Sequence, residues 1–309
     1  MITNCEKSDG CCMKFKSWMD KMEKQSFRDA KYIETRIGKI HYTDFGKGEI
    51  ILHSHGSPAG ADIGPLFFSN FAEKEGCRVI TPSRLGFLGT SVSLGESIEA
   101  QADFFKEFLD ALGINKAFIH AWSGGGPPAI KFAIKYPEHV NGLILYCAVS
   151  HRWVHKITRF EKMILSDRGL WIMWNLSQIF KKTFRKKSAK ELGVDYEYVK
   201  QCTNRLYLLD KFFEMTAPPS LRNPGSFNDI KMYSDMDDFD FSKIITPTLI
   251  LFSPSDNQLP ISNGDIPAEE IPTDLVKYFR FTHGGHMPMI DKEAEDIDRV
   301  IADFIRQYS

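Results

Sequence analysis

"AFIHAWSGGGPPAIKFA", residues 117–133, runs from an apolar strand-like segment through Ser123 and three glycines into a helix-like one. Two chemistries use a glycine-rich turn at such a junction. Gly124, Gly126 and Ala129 fit G-x-G-x-x-A, the spacing with which a loop and a helix N-terminus hold a dinucleotide phosphate. That arrangement also wants an acidic residue at the end of the next strand, and "NGLILYCAVS" (141–150) ends without one. A P-loop wants Lys followed by Ser or Thr after its last glycine, where Pro127 and Pro128 stand instead. No nucleotide cofactor is expected. The other chemistry makes Ser123 a nucleophile. Small residues two before and two after it, Ala121 and Gly125, let the chain turn sharply and lift the hydroxyl to the carboxyl end of a sheet. Pro127 and Pro128 then fall in the first helical turn, where their missing amide donors matter little.

The chain around this stretch has 309 residues, enough for one large α/β domain with an insertion. Its 43% hydrophobic and 26% charged residues are those of an ordinary globular protein. A net charge of -1 gives no overall attraction for nucleic acid or an anionic membrane, so a small-molecule substrate is the expected partner. Cys5, Cys11, Cys12, Cys77, Cys147 and Cys202 show no CxxC and no zinc spacing. Cys77 and Cys147 fall in apolar runs and read as reduced, buried thiols. No secretory signal or 18-residue apolar run is present, so a cytoplasmic location is expected.

Residues 1–30 read as an extension outside the core, best taken as a solvated arm. Its "CCMKFKSWMDKMEKQ" is able to form a short basic helix, and acylation at Cys11 and Cys12 is the less favoured alternative. From Tyr32 onward, "YIETRI" and "KIHYTDFG" predict a hairpin, and "EIILHSHG" and "CRVITPS" further strands. Ser97 caps a helix over 98–112 whose Ile98, Ala102, Phe105, Leu109 and Leu112 share a face, with Gly113 as its stop. Residues 31–150 and 236–309 thus form a mostly parallel twisted sheet with antiparallel N-terminal strands and helices on both faces. Residues 151–235, aromatic and helix-like, read as a helical cap inserted in that α/β core.

Four further stretches join Ser123. These are "HSHGSPAG" (53–60), "TPSRLGFLGTS" (81–91), "LILFSPSDNQLP" (249–260) and "FTHGGHMP" (281–288). Together the five stretches resemble the α/β-hydrolase fold family in kind and order. The resemblance implies a triad of Ser123, Asp256 and His286, with the backbone N–H groups of Ser57 and Gly124 as the oxyanion hole. His55, Gly56, Ala121 and Gly125 would support the loop and the elbow. Ala121 stands where the family more often has glycine. Serine at the elbow argues against the dehalogenase and epoxide hydrolase branches, which use aspartate there.

Each assignment has a competitor. Asp235, Asp237, Asp238 and Asp240 lie in an acidic stretch read as solvated surface, and His283 lacks the paired glycines that precede His286. His53 and His55 share one side of a strand as a metal pair would, but no third ligand lies nearby and no metal is expected. The cap's Trp153, Trp171, Met173, Trp174, Phe180 and Phe184 are too many for a solvent-facing excursion, so some would roof an apolar pocket. The basic run 181–187 leaves membrane contact possible but not favoured. The resemblance implies a serine hydrolase, foremost a carboxylesterase acting on a small or medium apolar acyl group. A proline iminopeptidase-like aminopeptidase is the alternative and would need cap carboxylates, among Glu161, Asp167, Glu191, Asp195, Glu197, Asp210 and Glu214, turned over Ser123. A non-catalytic ligand receptor of the same fold is a third possibility.

Overall fold

The computed structural model describes residues 13–309. Cys5, Cys11 and Cys12 lie outside the described residues, and with them the acylation alternative. The first described helix, α1 (Phe15–Ser26), precedes the hairpin of β1 (Lys31–Thr35) and β2 (Gly38–Gly46). There follow β3 (Glu49–Ser54), α2 (Ile63–Glu75), β4 (Cys77–Pro82), α3 (Ile98–Ala111), β5 (Ala117–Ser123), α4 (Gly126–Lys135) and β6 (Val140–Ala148). After an excursion come β7 (Thr248–Phe252), the next core helix (Ser262–Glu270), β8 (Val276–Arg280) and a closing helix (Ala294–Tyr308). The described residues build one eight-stranded sheet of order β1-β2-β4-β3-β5-β6-β7-β8. The β1–β2 and β2–β4 pairs are antiparallel and all the others parallel.

Strand alternation decides which helices cover which face. Ile51, Val79, Phe118, Ile144 and Leu249 point to the side covered by α2 and the closing helix. Leu52, Ile80, Ile119, Leu143 and Ile250 point to α3 and α4. Ser97 caps α3 as expected, accepting from the Ala100 amide at 3.1 Å. With both faces covered, the central strands are largely apolar on both sides.

Between β6 and β7 the described chain forms helices only. These are α5 (Arg159–Ile164), α6 (Asp167–Ile179), α7 (Lys181–Glu191), α8 (Tyr196–Val199), α9 (Thr203–Glu214) and α10 (Asn223–Asp235). The core helices after β7 and β8 are α11 (Ser262–Glu270) and α12 (Ala294–Tyr308). One expectation needs correction here. Residues 15–26 are not a solvated arm: Trp18 and Met22 are buried against Leu170, Trp174 and Ala217, forming a small satellite core with the inserted helices. Of the insert's large apolar residues, Phe180 is 59% exposed and Trp174 is buried in that satellite core, where it also lines a cavity with Phe184 and Phe213. An indole fully removed from water contributes far more than a solvated charge run can oppose, which is why the lysine-rich helix docks.

Candidate active site

Strand β5 ends in a sharp turn. Ser123 sits at φ +54, a left-handed conformation that a non-glycine residue adopts only when its surroundings impose it. They do so from three sides. The Gly125 amide donates to the Trp122 carbonyl at 2.8 Å, and the Val149 amide donates to the Ser123 carbonyl at 2.9 Å. A Cβ on Gly125 would lie 2.0 Å from the Ser54 carbonyl oxygen, so only glycine fits where the elbow crosses β3. The turn leads straight into α4, whose N-terminal, positive dipole end lies next to the serine.

The loops after β7 and β8 bring Asp256 and His286 to that hydroxyl. His286 Nε2 lies 2.9 Å from Ser123 Oγ, and His286 Nδ1 lies 2.8 Å from Asp256 Oδ2. The second carboxylate oxygen accepts from the amides of Gln258 at 2.7 Å and Leu259 at 3.0 Å. The imidazole is held from both ends of its backbone as well. Its amide donates to the Leu192 carbonyl at 2.8 Å, and its carbonyl accepts from Trp122 Nε1 at 3.1 Å. Three residues far apart in the chain thus have the nucleophile, base and orienter geometry within hydrogen-bond reach.

Ser57 follows β3 and faces Gly124 across a narrow gap. A Cβ on Gly124 would stand 3.3 Å from the Ser57 nitrogen and 3.2 Å from its Oγ. The Gly124 backbone and the Ser57 nitrogen therefore lie close together beside the serine. Gly56 presses on the elbow so closely that a Cβ there would come 2.8 Å from Ser123 Cβ. His55 Nδ1 donates to the Gly56 carbonyl at 2.8 Å while its Nε2 accepts from the Arg84 amide at 2.9 Å. That pairing fixes one neutral tautomer, and burial, then the nearby Arg84 charge, hold the ring well below its ordinary pKa.

Around Ser57 lies a polar network that the sequence does not announce. Arg84 and Asp229, 0% and 1% exposed at the side chain, form an ion pair at 2.6 Å. Arg84 Nε also donates to the His55 carbonyl at 2.8 Å and Nη1 to Gln101 Oε1 at 3.0 Å. Ser57 Oγ donates to Asp229, and the Tyr233 hydroxyl donates to the Gly124 carbonyl. Burial would lower the Arg84 pKa, but Asp229 and Tyr233 outweigh it and hold the guanidinium above its ordinary value. Ser57, expected to matter through its amide alone, thus carries a side-chain contact as well.

The competitors fall elsewhere. His53 lies 3.0 Å from His120 Nδ1 on β5, not paired with His55. His283 is exposed and sits 3.4 Å from Glu293. Asp235, Asp237, Asp238 and Asp240 are exposed. Four of the candidate carboxylates of the insert are paired with other groups: Asp210 with Arg185, Glu214 with Lys211, Asp167 with the Ser220 amide, and Asp195 with Lys292. One wall of the site is aromatic, with Trp122 packed by Phe67 at 5.6 Å and by Phe212 of α9 at 5.9 Å.

A family model of the alpha/beta hydrolase fold matches residues 49–293. An uncharacterized hydrolase, YcgS, of Bacillus subtilis is 27% identical over 276 residues, covering 87% of this chain and 95% of its own. A 2-hydroxy-6-oxo-6-phenylhexa-2,4-dienoate hydrolase of Burkholderia cepacia is 36% identical over 113 residues, 35% of this chain and 39% of its own. Among solved structures, an alpha/beta hydrolase fold protein from Nakamurella multipartita superposes with a TM-score of 0.79 at 23% identity, covering 90% of this chain and 99% of its own. An esterase from Exiguobacterium antarcticum superposes with a TM-score of 0.66 at 20% identity, over 89% and 99%. With most of its length matched, its sheet order and its elbow in place, the chain is an alpha/beta hydrolase, a member of the alpha/beta hydrolase fold family.

Proposed function

We propose that the protein is a serine hydrolase that cleaves a carboxylic ester with a small or medium apolar acyl group, through an acyl-Ser123 intermediate. The observation that carries this reading is the continuous relay from Ser123 Oγ through His286 to Asp256. In it, His286 Nε2 takes the hydroxyl proton as Oγ attacks the ester carbonyl carbon, and Asp256 steadies the imidazolium that forms. The tetrahedral oxyanion is met by the amides of Ser57 and Gly124. Collapse breaks the ester C–O bond, His286 returns its proton to the leaving alkoxide, and a water deprotonated by the same nitrogen then hydrolyses the acyl-serine. Residues 151–235 act as a cap over the cleft, and the aromatic wall around Trp122 and Phe212 supports an apolar acyl group.

A second reading, hydrolysis of a carbon–carbon bond, is favoured by the local match to 2-hydroxy-6-oxo-dienoate hydrolases. The aminopeptidase alternative is less favoured, because Asp167, Asp195, Asp210 and Glu214 are paired with other groups, and Asp229, the insert carboxylate beside Ser57, is already paired with Arg84. Among the described residues no helix is long and apolar enough to cross a membrane. We infer a reducing, cytoplasmic setting, supported by the unpaired, buried Cys77 and Cys147. A panel of p-nitrophenyl esters of increasing chain length, run beside a 2-hydroxy-6-oxo-dienoate and a prolyl amide, tests the reading. Turnover of the short and medium esters above both others is expected; preference for the dienoate would replace the ester reading with the second one.

A further inference from the structure

Both amides assigned to the oxyanion hole belong to turns that α10 anchors from outside the sheet. Ser57 lies three residues past β3 with its own amide unpaired to any strand neighbour. Gly124 has no side chain, and the peptide plane that carries its N–H is held by the Val149 amide on the Ser123 carbonyl. The next plane, which carries its carbonyl, is held from within the elbow by the Gly125 amide on the Trp122 carbonyl, so the Tyr233 hydroxyl anchors that second plane from outside the turn. One face of α10 supplies both tethers, since Asp229 and Tyr233 stand at i and i+4 and project together. Asp229 accepts from Ser57 Oγ, and Tyr233 donates to the Gly124 carbonyl. Arg84 closes the circuit, binding Asp229 through both terminal nitrogens at 2.9 and 2.6 Å while Nε holds the His55 carbonyl of the same loop at 2.8 Å. A buried ion pair adds little net stability compared with apolar groups of the same size, but it fixes one geometry.

Resting on the serine hydrolase reading, we propose that Asp229 and Tyr233 are positioning residues: helix α10 of the cap completes the oxyanion hole by clamping the Ser57 and Gly124 turns. Neither side chain has to touch substrate. Because the clamp orders donors that act on the tetrahedral oxyanion rather than on the bound ester, its loss lowers kcat and leaves KM nearly unchanged. It also makes the seating of the cap a condition for turnover.

The test uses the full chain with Tyr233→Phe and Ser57→Ala, each of which removes one tether while keeping the backbone amides, and avoids leaving Arg84 without its carboxylate. For each we expect kcat on a p-nitrophenyl ester to fall about 10- to 100-fold, less than outright loss of a donor, with KM within about twofold by the same argument. Binding of a trifluoromethyl ketone, whose adduct with Ser123 carries the oxyanion, should weaken in proportion to kcat/KM, whereas an inert ether analogue of the ester should bind as before. A merely structural role would instead shift the ether's affinity and the melting temperature together. Unchanged kcat and ketone affinity in both variants, or equal weakening of the ether and the ketone, overturns the clamp. If the wild-type protein neither turns over esters nor reacts at Ser123 with a fluorophosphonate, the hydrolase reading itself fails and the clamp goes with it.

Discussion

At Ser123 backbone and side chain answer to different neighbours. The strained φ is imposed by Gly125 passing against β3, while the hydroxyl is aimed by an imidazole from a loop 163 residues downstream. Ser123→Ala removes only the reacting oxygen, so the fold should persist and kcat should fall by about 10⁴–10⁶, measured as ester turnover with an unchanged circular dichroism spectrum. Gly124→Ala keeps the whole triad but places a methyl 3.2 Å from Ser57 Oγ and 3.3 Å from its nitrogen, against the amide proposed for the oxyanion hole. Steady-state assay of that variant should give a kcat lower by about 10². Ser123, Asp256 and His286 are legible in the sequence because each sits at a strand end inside a short motif that its local chemistry demands. Asp229 and Tyr233 are not legible. Their role arises from a cross-chain contact with turns more than a hundred residues away, and "SFNDIKMY" has no local spacing to betray it. The one available signal was an aspartate set among Phe227, Ile230 and Met232 rather than among other charges.

Among the elements, α1 behaves most differently from its sequence. Its lysines suggest a solvated segment, yet Trp18 is fully buried and Met22 nearly so, against α6 and Ala217. Trp18→Ala should therefore destabilise the protein by about 3–5 kcal/mol in denaturant unfolding, the range for deleting a buried indole. A solvated arm would give almost nothing. Helix α2 is hidden for a different reason. Its first turn, Ile63-Gly64-Pro65, carries two poor helix formers, and Gly64 is where the helix crosses so near β4 that a Cβ would lie 2.3 Å from Thr81 Oγ1. Helix α11 carries Pro267 in its interior, which weakens its helical pattern in the sequence. Elements whose periodicity is uninterrupted, such as α3 and the central strands, are legible from pattern alone.

Over the whole molecule, the mostly parallel sheet and the helical interruption after β6 follow from the alternation of strand and helix patterns. The strand order does not, because it depends on how each crossover folds back. The sheet also hides four histidines from water. Burial holds His41 down to about 4 and His120 to about 3, and keeps His53 and His55 well below their ordinary range. Unfolded, each titrates near 6.5, so between about pH 6.5 and 4 the unfolded chain binds more protons than the native one. Stability is then full above pH 6.5 and declines as the pH drops, by about 2 kcal/mol from His41 alone between pH 7.5 and 5. Asp298, raised by burial to about 6, works the other way by about 1 kcal/mol and does not reverse the sign. Urea midpoints at the two pH values should fall on acidification; equal midpoints would mean that these histidines are not neutral in the native state.

The central claim, that Ser123 is a nucleophile activated by His286 and Asp256, is most directly tested by reaction with a fluorophosphonate followed by peptide mass mapping. A single adduct on Ser123 is predicted, absent in Ser123→Ala and formed far more slowly in His286→Ala. An unlabelled protein, or an adduct elsewhere that survives both substitutions, would contradict it.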